Sequence, residues 1–87
     1  MPYSIAFAPS ARKAFANLSQ QVKRRLQAAI DALADNPRPH GVTPLSGHDD
    51  LWRIRVGDYR VVSAIRDREL LILVVKVGHR REIYRDL

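Results

Sequence analysis

LWRIRVGDYRVVSAIRDRELLILVVKVGHRREIY, residues 51 to 84, is the stretch whose pattern decides the fold. Read at the two-residue period of an extended strand, Trp52, Ile54 and Val56 fall on one side, and Leu51, Arg53 and Arg55 on the other. Gly57-Asp58 follows. Two residues beginning with Gly between alternating runs predict a hairpin with a type II′ turn. In the next run Tyr59, Val61, Ser63 and Ile65 share one face, while Arg60, Val62, Ala64 and Arg66 share the other. Asp67-Arg68-Glu69 is a polar break. Leu70 to Val77 is then almost unbroken apolar sequence, the pattern of a strand buried on both faces. Gly78 is expected to break that strand, and the register containing Lys76 reaches Arg80 beyond it.

One assignment satisfies all of these runs. With Trp52, Val61 and Val75 turned to the core, Arg53, Arg55, Arg60, Lys76 and Arg80 lie together on the opposite face. The plain alternative is a solvated outer face, since antiparallel sheets often wet one side. Solvated faces mix both signs of charge, however. Here Asp58, Asp67 and Glu69 are confined to the turns, and the sheet positions carry only positive charge.

Upstream of this stretch, Tyr3 to Phe7 alternates as a short strand that Pro9 should end. Ser10 is the expected cap of a first helix, with Ala11, Ala14, Phe15 and Leu18 at helical spacing. Ser19 should cap a second helix, whose apolar stripe is Val22, Leu26, Ala29, Ile30 and Leu33. Asp31 and Asp35 sit near its C-terminus, against the helix dipole, and Asn36-Pro37 stops it. Almost no linker separates the helices, so they should form an antiparallel pair on the apolar side of the sheet. Residues 36–50, NPRPHGVTPLSGHDD, read as a long irregular connection with a short strand near Val42. His40, His48, Asp49 and Asp50 match no metal-ligand spacing and are expected to be solvated loop residues. The fold class is therefore α+β: one domain over residues 1–87, with a small, mainly antiparallel sheet, an N-terminal strand and a two-helix hairpin packed on one face.

Composition bounds the function. A chain of 87 residues is one domain that buries roughly 60% of its unfolded surface. No cysteine is present, which excludes a disulfide framework and a thiolate metal site. The N-terminus, MPYSIAFAPSARK, lacks the long apolar core of a signal peptide, and no window approaches a membrane span. A cytoplasmic location without membrane contact is expected. Net charge is +6, which points to a polyanion or an acidic protein as partner.

Glycine-rich phosphate loops, Ser-His-Asp sets and zinc motifs are absent. The chemical tools are arginines, Lys76, His79 and Tyr84. These suit phosphodiester chemistry without a metal or other cofactor. Guanidiniums bind phosphate bidentately and stabilise the charge of a pentacoordinate transition state. A histidine or tyrosine can move a proton at the attacking or leaving oxygen. On RNA the 2′-hydroxyl is already present as nucleophile.

WRIRVGDYRVV at residues 52–62 and VGHRREIY at residues 77–84, after a strand and two helices, resemble the RelE/ParE toxin superfamily, and the RelE branch most. The resemblance covers essentially the whole chain. It implies a toxin of a type II toxin–antitoxin system. RelE-type members cut messenger RNA in the ribosomal A site, and ParE-type members block DNA gyrase. It implies that Arg60 holds the scissile phosphate, that Arg80 stabilises charge or assists the leaving group, and that Tyr84 stacks on a base or transfers a proton. Arg53 and Arg55 stand where the best-known RelE toxin has lysines. An arginine stays charged, so these two, with Lys76 and Arg81, would bind RNA rather than act as base. The base is then Tyr84, His79 or no efficient group at all, and alternation puts His79 on the core side with Val77. Three residues follow Tyr84 where many relatives continue into a C-terminal helix, which implies a more open active face. The resemblance also implies a cognate antitoxin in a tight heteromer, and the charge of +6 argues that its wrapping segment is acidic. A general basic nucleic-acid-binding module, without cleavage or toxicity, is the third reading.

Overall fold

A computed structural model describes residues 2–45, 47 and 50–83. The chain runs β1 (Ser4–Phe7), α1 (Pro9–Ala16), α2 (Gln20–Leu33), β2 (Thr43–Pro44), β3 (Leu51–Val56), β4 (Tyr59–Arg66) and β5 (Leu71–His79). The five strands form one sheet in the order β1-β5-β4-β3-β2. The β1 strand runs parallel to β5, and the other pairings are antiparallel. The α+β architecture expected from the sequence is therefore present, with α1 against β5 and α2 against β3.

The helix starts differ in their chemistry. Ser19 caps α2 as expected, its Oγ accepting from the Val22 amide at 3.3 Å. Ser10 does not cap α1. The helix begins at Pro9 with Ala8 as its cap residue and no side-chain cap bond. Proline suits the first helical position, because its missing N–H is one that the helix leaves unpaired anyway. Pro9 thus starts the helix that it was expected only to precede.

The core lies between the helices and one face of the sheet. Ala11, Leu26, Ile30 and Leu33 meet Ile54, Val61, Ile72, Val74 and Val77, all buried. Val75 was expected among the core residues, and it is not one of them. Val62 pairs with Lys76 and Ser63 with Val74, so Val75 is an extra residue in β5. A bulge of this kind reverses the inside–outside alternation. Before it, Ile72 and Val74 point to the helices. After it, Val77 does, and Lys76 returns to the outer face. Strict period-two reading cannot register such a step. Gly78 does not break β5 either, since the strand continues through it to His79.

The β3–β4 turn follows the type II′ expectation. Gly57 has φ +60, and Asp58 is not left-handed. A Cβ at Gly57 would approach Nη2 of Arg25 on α2 at 2.7 Å, which this exposed, flexible side chain can relieve by swinging away, so the left-handed φ is what calls for glycine. The far end of the sheet is clamped by the short turn Asp67–Glu69. Tyr3 Oη donates to Asp67 Oδ1 at 2.6 Å, and Arg38 donates to both carboxylate oxygens at 3.2 and 3.0 Å. The Arg38 guanidinium also lies 4.9 Å from the Trp52 ring centroid. The hydrogen bonds from Arg38 and Tyr3 hold the Asp67 carboxyl below its usual range.

Candidate nucleic-acid interface

Strand register builds the cationic face directly. Thr43, Arg53, Val62 and Lys76 form one row across β2, β3, β4 and β5. Arg55, Arg60 and Gly78 form the next. Paired residues of neighbouring strands share a face, so Arg53, Arg55, Arg60 and Lys76 stand on the side away from the helices. Alternation predicted these four on one face together with Arg80, which lies beyond the last paired residue, His79.

Gly41, Thr43, Arg53, Arg55 and Arg60 line a cavity of about 290 Å³ on this face. Its side chains are held from within the fold. Arg53 Nε donates to Thr43 Oγ1 at 3.2 Å. Arg60 Nη1 donates to the carbonyls of Gly57 and Tyr59 at 3.0 and 2.9 Å. Those two bonds fix the guanidinium on the turn and leave Nε and Nη2 for a ligand. Arg55 and Arg60 face each other directly across the β3–β4 ladder. Like charges so placed cost stability. Among the described residues the only ion pair is Arg38–Asp67, at the far end of the sheet, so no described carboxylate neutralises Arg55 or Arg60.

Lys76 sharpens the picture. Its Nζ is buried and, among the described residues, has no hydrogen-bond partner, which is rare for a buried donor. Beside it, Ile83 is 1% exposed, and its Cδ1 lies 3.5 Å from where a Cβ on Gly78 would stand. The turn after β5 therefore folds back over the cationic side, fixed by the amides of Glu82 and Ile83 donating to the His79 carbonyl.

The remaining candidates separate. Arg80 donates its amide to the Asp58 carbonyl at 2.8 Å and is exposed, at the rim beyond Gly78. Arg81 is exposed as well. His79 pairs with Tyr59, and the two rings meet edge-on with centroids 5.6 Å apart. That puts His79 on the helix side of the sheet, across from the arginines, with Nδ1 accepting from the Arg81 amide at 3.2 Å. Tyr84 lies outside the described residues. Sequence reading missed Thr43 and Gly41, because β2 is only two residues long and carries no alternation to read. It also missed Arg25, a helix residue brought to the β3–β4 turn by packing alone. Among the described residues no three His, Cys, Asp or Glu side chains gather as a metal site. No described helix is long and apolar enough to cross a membrane.

Comparison with known proteins agrees with this geometry. The family model described as the ParE toxin of type II toxin–antitoxin system, parDE, matches residues 5–84. No curated protein matches by sequence. Among solved structures, the archaeal RelE–RelB complex from Pyrococcus horikoshii OT3 is matched at TM-score 0.81 and 30% identity, over 94% of this chain and 99% of that one. The isolated E. coli RelE toxin is matched at TM-score 0.79 and 25% identity, over 88% and 83%. The RelBE2 toxin–antitoxin complex of Mycobacterium tuberculosis, at TM-score 0.81 and 23% identity over 92% and 100%, shares the fold.

Proposed function

This chain belongs to the ParE toxin family of type II toxin–antitoxin systems, with the structure of its RelE-like branch, and from that premise we propose that it is a ribosome-dependent endoribonuclease that cleaves messenger RNA without a metal. The observation that carries the reading is the cavity lined by Arg53, Arg55 and Arg60 on the face away from the helices. Cations gathered along one open face are the electrostatic footprint of a polyanion site.

In this reading a backbone phosphate of the message sits against Arg60, with Arg53 and Arg55 behind it. The 2′-hydroxyl oxygen attacks the adjacent phosphorus, and the bond to the 5′ oxygen of the next nucleotide breaks. A cyclic 2′,3′-phosphate and a 5′-hydroxyl result. The arginines stabilise the extra negative charge of the pentacoordinate transition state, where hydrogen bonds to charged groups count most, and Lys76 adds its charge from beneath the face. Arg80, at the rim, reaches the leaving side. One proton leaves the 2′-hydroxyl and one is delivered to the departing oxygen. Tyr84 is assigned to that transfer by the family motif. His79 is not suited to it, since its ring stands behind the sheet with Nδ1 occupied. The partner proposed for the free toxin is a cognate acidic antitoxin. Structures of similar folds include an E. coli RelBE toxin–antitoxin complex.

The matching family model is that of the ParE toxins, so gyrase inhibition without cleavage is the rival. Induction in a bacterium, with mapping of messenger 5′ ends, separates the two. New ends within open reading frames support the nuclease. Intact messages accompanied by gyrase-dependent DNA breaks support the rival and reject the nuclease.

A further inference from the structure

The turn after β5 is held by the residue that opens it. Its four successive amides, from Arg80 to Ile83, all have partners. The Arg80 amide donates to the Asp58 carbonyl at 2.8 Å. The next three end on His79. Arg81 donates to Nδ1 at 3.2 Å, and Glu82 and Ile83 donate to the carbonyl at 2.9 and 3.0 Å. This is the bonding of a helix cap residue, whose side chain takes an early amide and whose carbonyl takes those that follow. Caps are mostly Ser, Thr, Asp or Asn. Here an imidazole fills that place, and acceptance at Nδ1 puts the ring proton on Nε2.

Two contacts keep this cap in place. The His79 ring lies edge-on to Tyr59, its strand partner, with centroids 5.6 Å apart. Ile83 closes the other end of the turn, 1% exposed and packed over Gly78. Between these anchors stand Arg80 and Arg81, both exposed. Arg80 is bonded to Asp58, next to the Gly57 and Tyr59 carbonyls that hold Arg60 Nη1. The backbone that carries Arg80 is thus tied to the same short turn as the Arg60 guanidinium.

We propose that His79 is a positioning residue for cleavage, whose imidazole caps the turn that carries Arg80 and so sets that guanidinium beside the Arg60 cavity. It acts by accepting a hydrogen bond, not by moving a proton, and its ring stays on the helix side of the sheet. A single helical turn has little cooperativity of its own, since it fixes several residues for few bonds. Without the acceptor, the Arg81 amide loses its partner and the turn frays. Arg80 then samples several directions, and the fraction aimed at the leaving oxygen falls. Such a loss falls on the rate of the bound complex, because Arg80 meets charge that develops only in the transition state. That task of Arg80 rests on the nuclease reading given above, whereas the cap rests on the geometry of this chain alone.

The test compares two variants of the full chain. His79→Phe keeps a ring against Tyr59 but has no acceptor. His79→Asn has an Oδ1 that can accept from the amide two residues on. Single-turnover cleavage of a ribosome-bound message, over a range of toxin concentration, gives the maximal rate and the half-saturation separately. Exchange of the Arg81 amide is followed by NMR. His79→Phe should exchange at Arg81 at least about tenfold faster. It should cleave about 2- to 30-fold more slowly at saturation, the span of a lost helix cap, with half-saturation within about twofold of wild type. His79→Asn should restore both rate and protection to within about threefold. In an Arg80→Ala background, His79→Phe should cost less than about twofold more, because the side chain it positions is gone. Should His79→Phe fail to fold, His79→Ala takes its place in each comparison. Wild-type cleavage by His79→Phe overturns the proposal, as does a loss that multiplies with that of Arg80→Ala. A rate that falls while the Arg81 amide stays protected gives the imidazole a part in proton transfer and also overturns it. A wild-type chain that leaves ribosome-bound messages intact rejects the nuclease reading instead, and Arg81 exchange in the variants then decides whether His79 caps the turn.

Discussion

Lys76→Met should make this protein more stable and leave its cleavage rate nearly unchanged. The Lys76 ammonium is buried without an acceptor, while its stem is only partly covered. A buried unsatisfied polar group costs about 1–3 kcal/mol, and partial cover of the stem places Lys76 in the lower half of that range. Methionine keeps the length and flexibility of the stem and removes the charge. The variant should gain about 1–2 kcal/mol in folding free energy. For a domain of this size each kcal/mol is worth about 4–8 °C, so the melting temperature should rise by roughly 4–16 °C. Cleavage should stay within about threefold of wild type, a change of less than about 0.7 kcal/mol, because an ammonium shielded from solvent is out of reach of a phosphate. Thermal unfolding by circular dichroism and single-turnover cleavage of a ribosome-bound message measure the two effects. A lower melting temperature would show that Nζ has an acceptor in the folded state. A large loss of cleavage would show that the ammonium reaches the substrate. Either result refutes the reasoning.

Other outcomes follow from the same geometry. Arg60→Lys should lose most cleavage while the chain stays folded, since a lysine keeps the charge but not the fork that holds both turn carbonyls and a phosphate; retention of full activity would show that charge alone suffices. Arg53→Ala and Arg55→Ala should each cost less than about tenfold, and the double variant more than their product, because either can neutralise the same phosphate; a strictly multiplicative result would assign them separate tasks. Gly57→Val should lower stability markedly, because φ +60 is unfavourable for a branched residue; an unchanged urea midpoint would contradict the turn geometry. Asp67→Asn should destabilise the chain at neutral pH. The Asp67 carboxyl is depressed in the folded state, so its contribution is full above about pH 4 and is lost as pH falls through the lower folded value. Urea titrations should therefore show the gap between wild type and variant closing on acidification, and a gap independent of pH would exclude the Arg38–Tyr3–Asp67 clamp as its source.

Periodicity alone determined which residues of β3 and β4 face the helices, because one face of each strand is buried and a slip of one residue would bury Arg53, Arg55 and Arg60. It determined the helical pair through the stripe from Val22 to Leu33, and the hairpin through Gly57-Asp58. These are local signals, in which each residue reports on neighbours two to four positions away. Tertiary structure decided everything that depends on a partner distant in sequence. The bulge at Val75 exists only in the pairing of β5 with β4, and no local pattern records it. Burial of the Lys76 ammonium depends on the chain around it, and the approach of Arg25 to Gly57 depends on how α2 lies on the sheet. Sequence alternation had already set His79 apart with Val77, and pairing with Tyr59 fixed it behind the arginines. The end of β2 at Thr43, which lines the cationic cavity, was equally invisible. It depends on a two-residue pairing and one left-handed glycine, and alternation needs a longer run than that to be read.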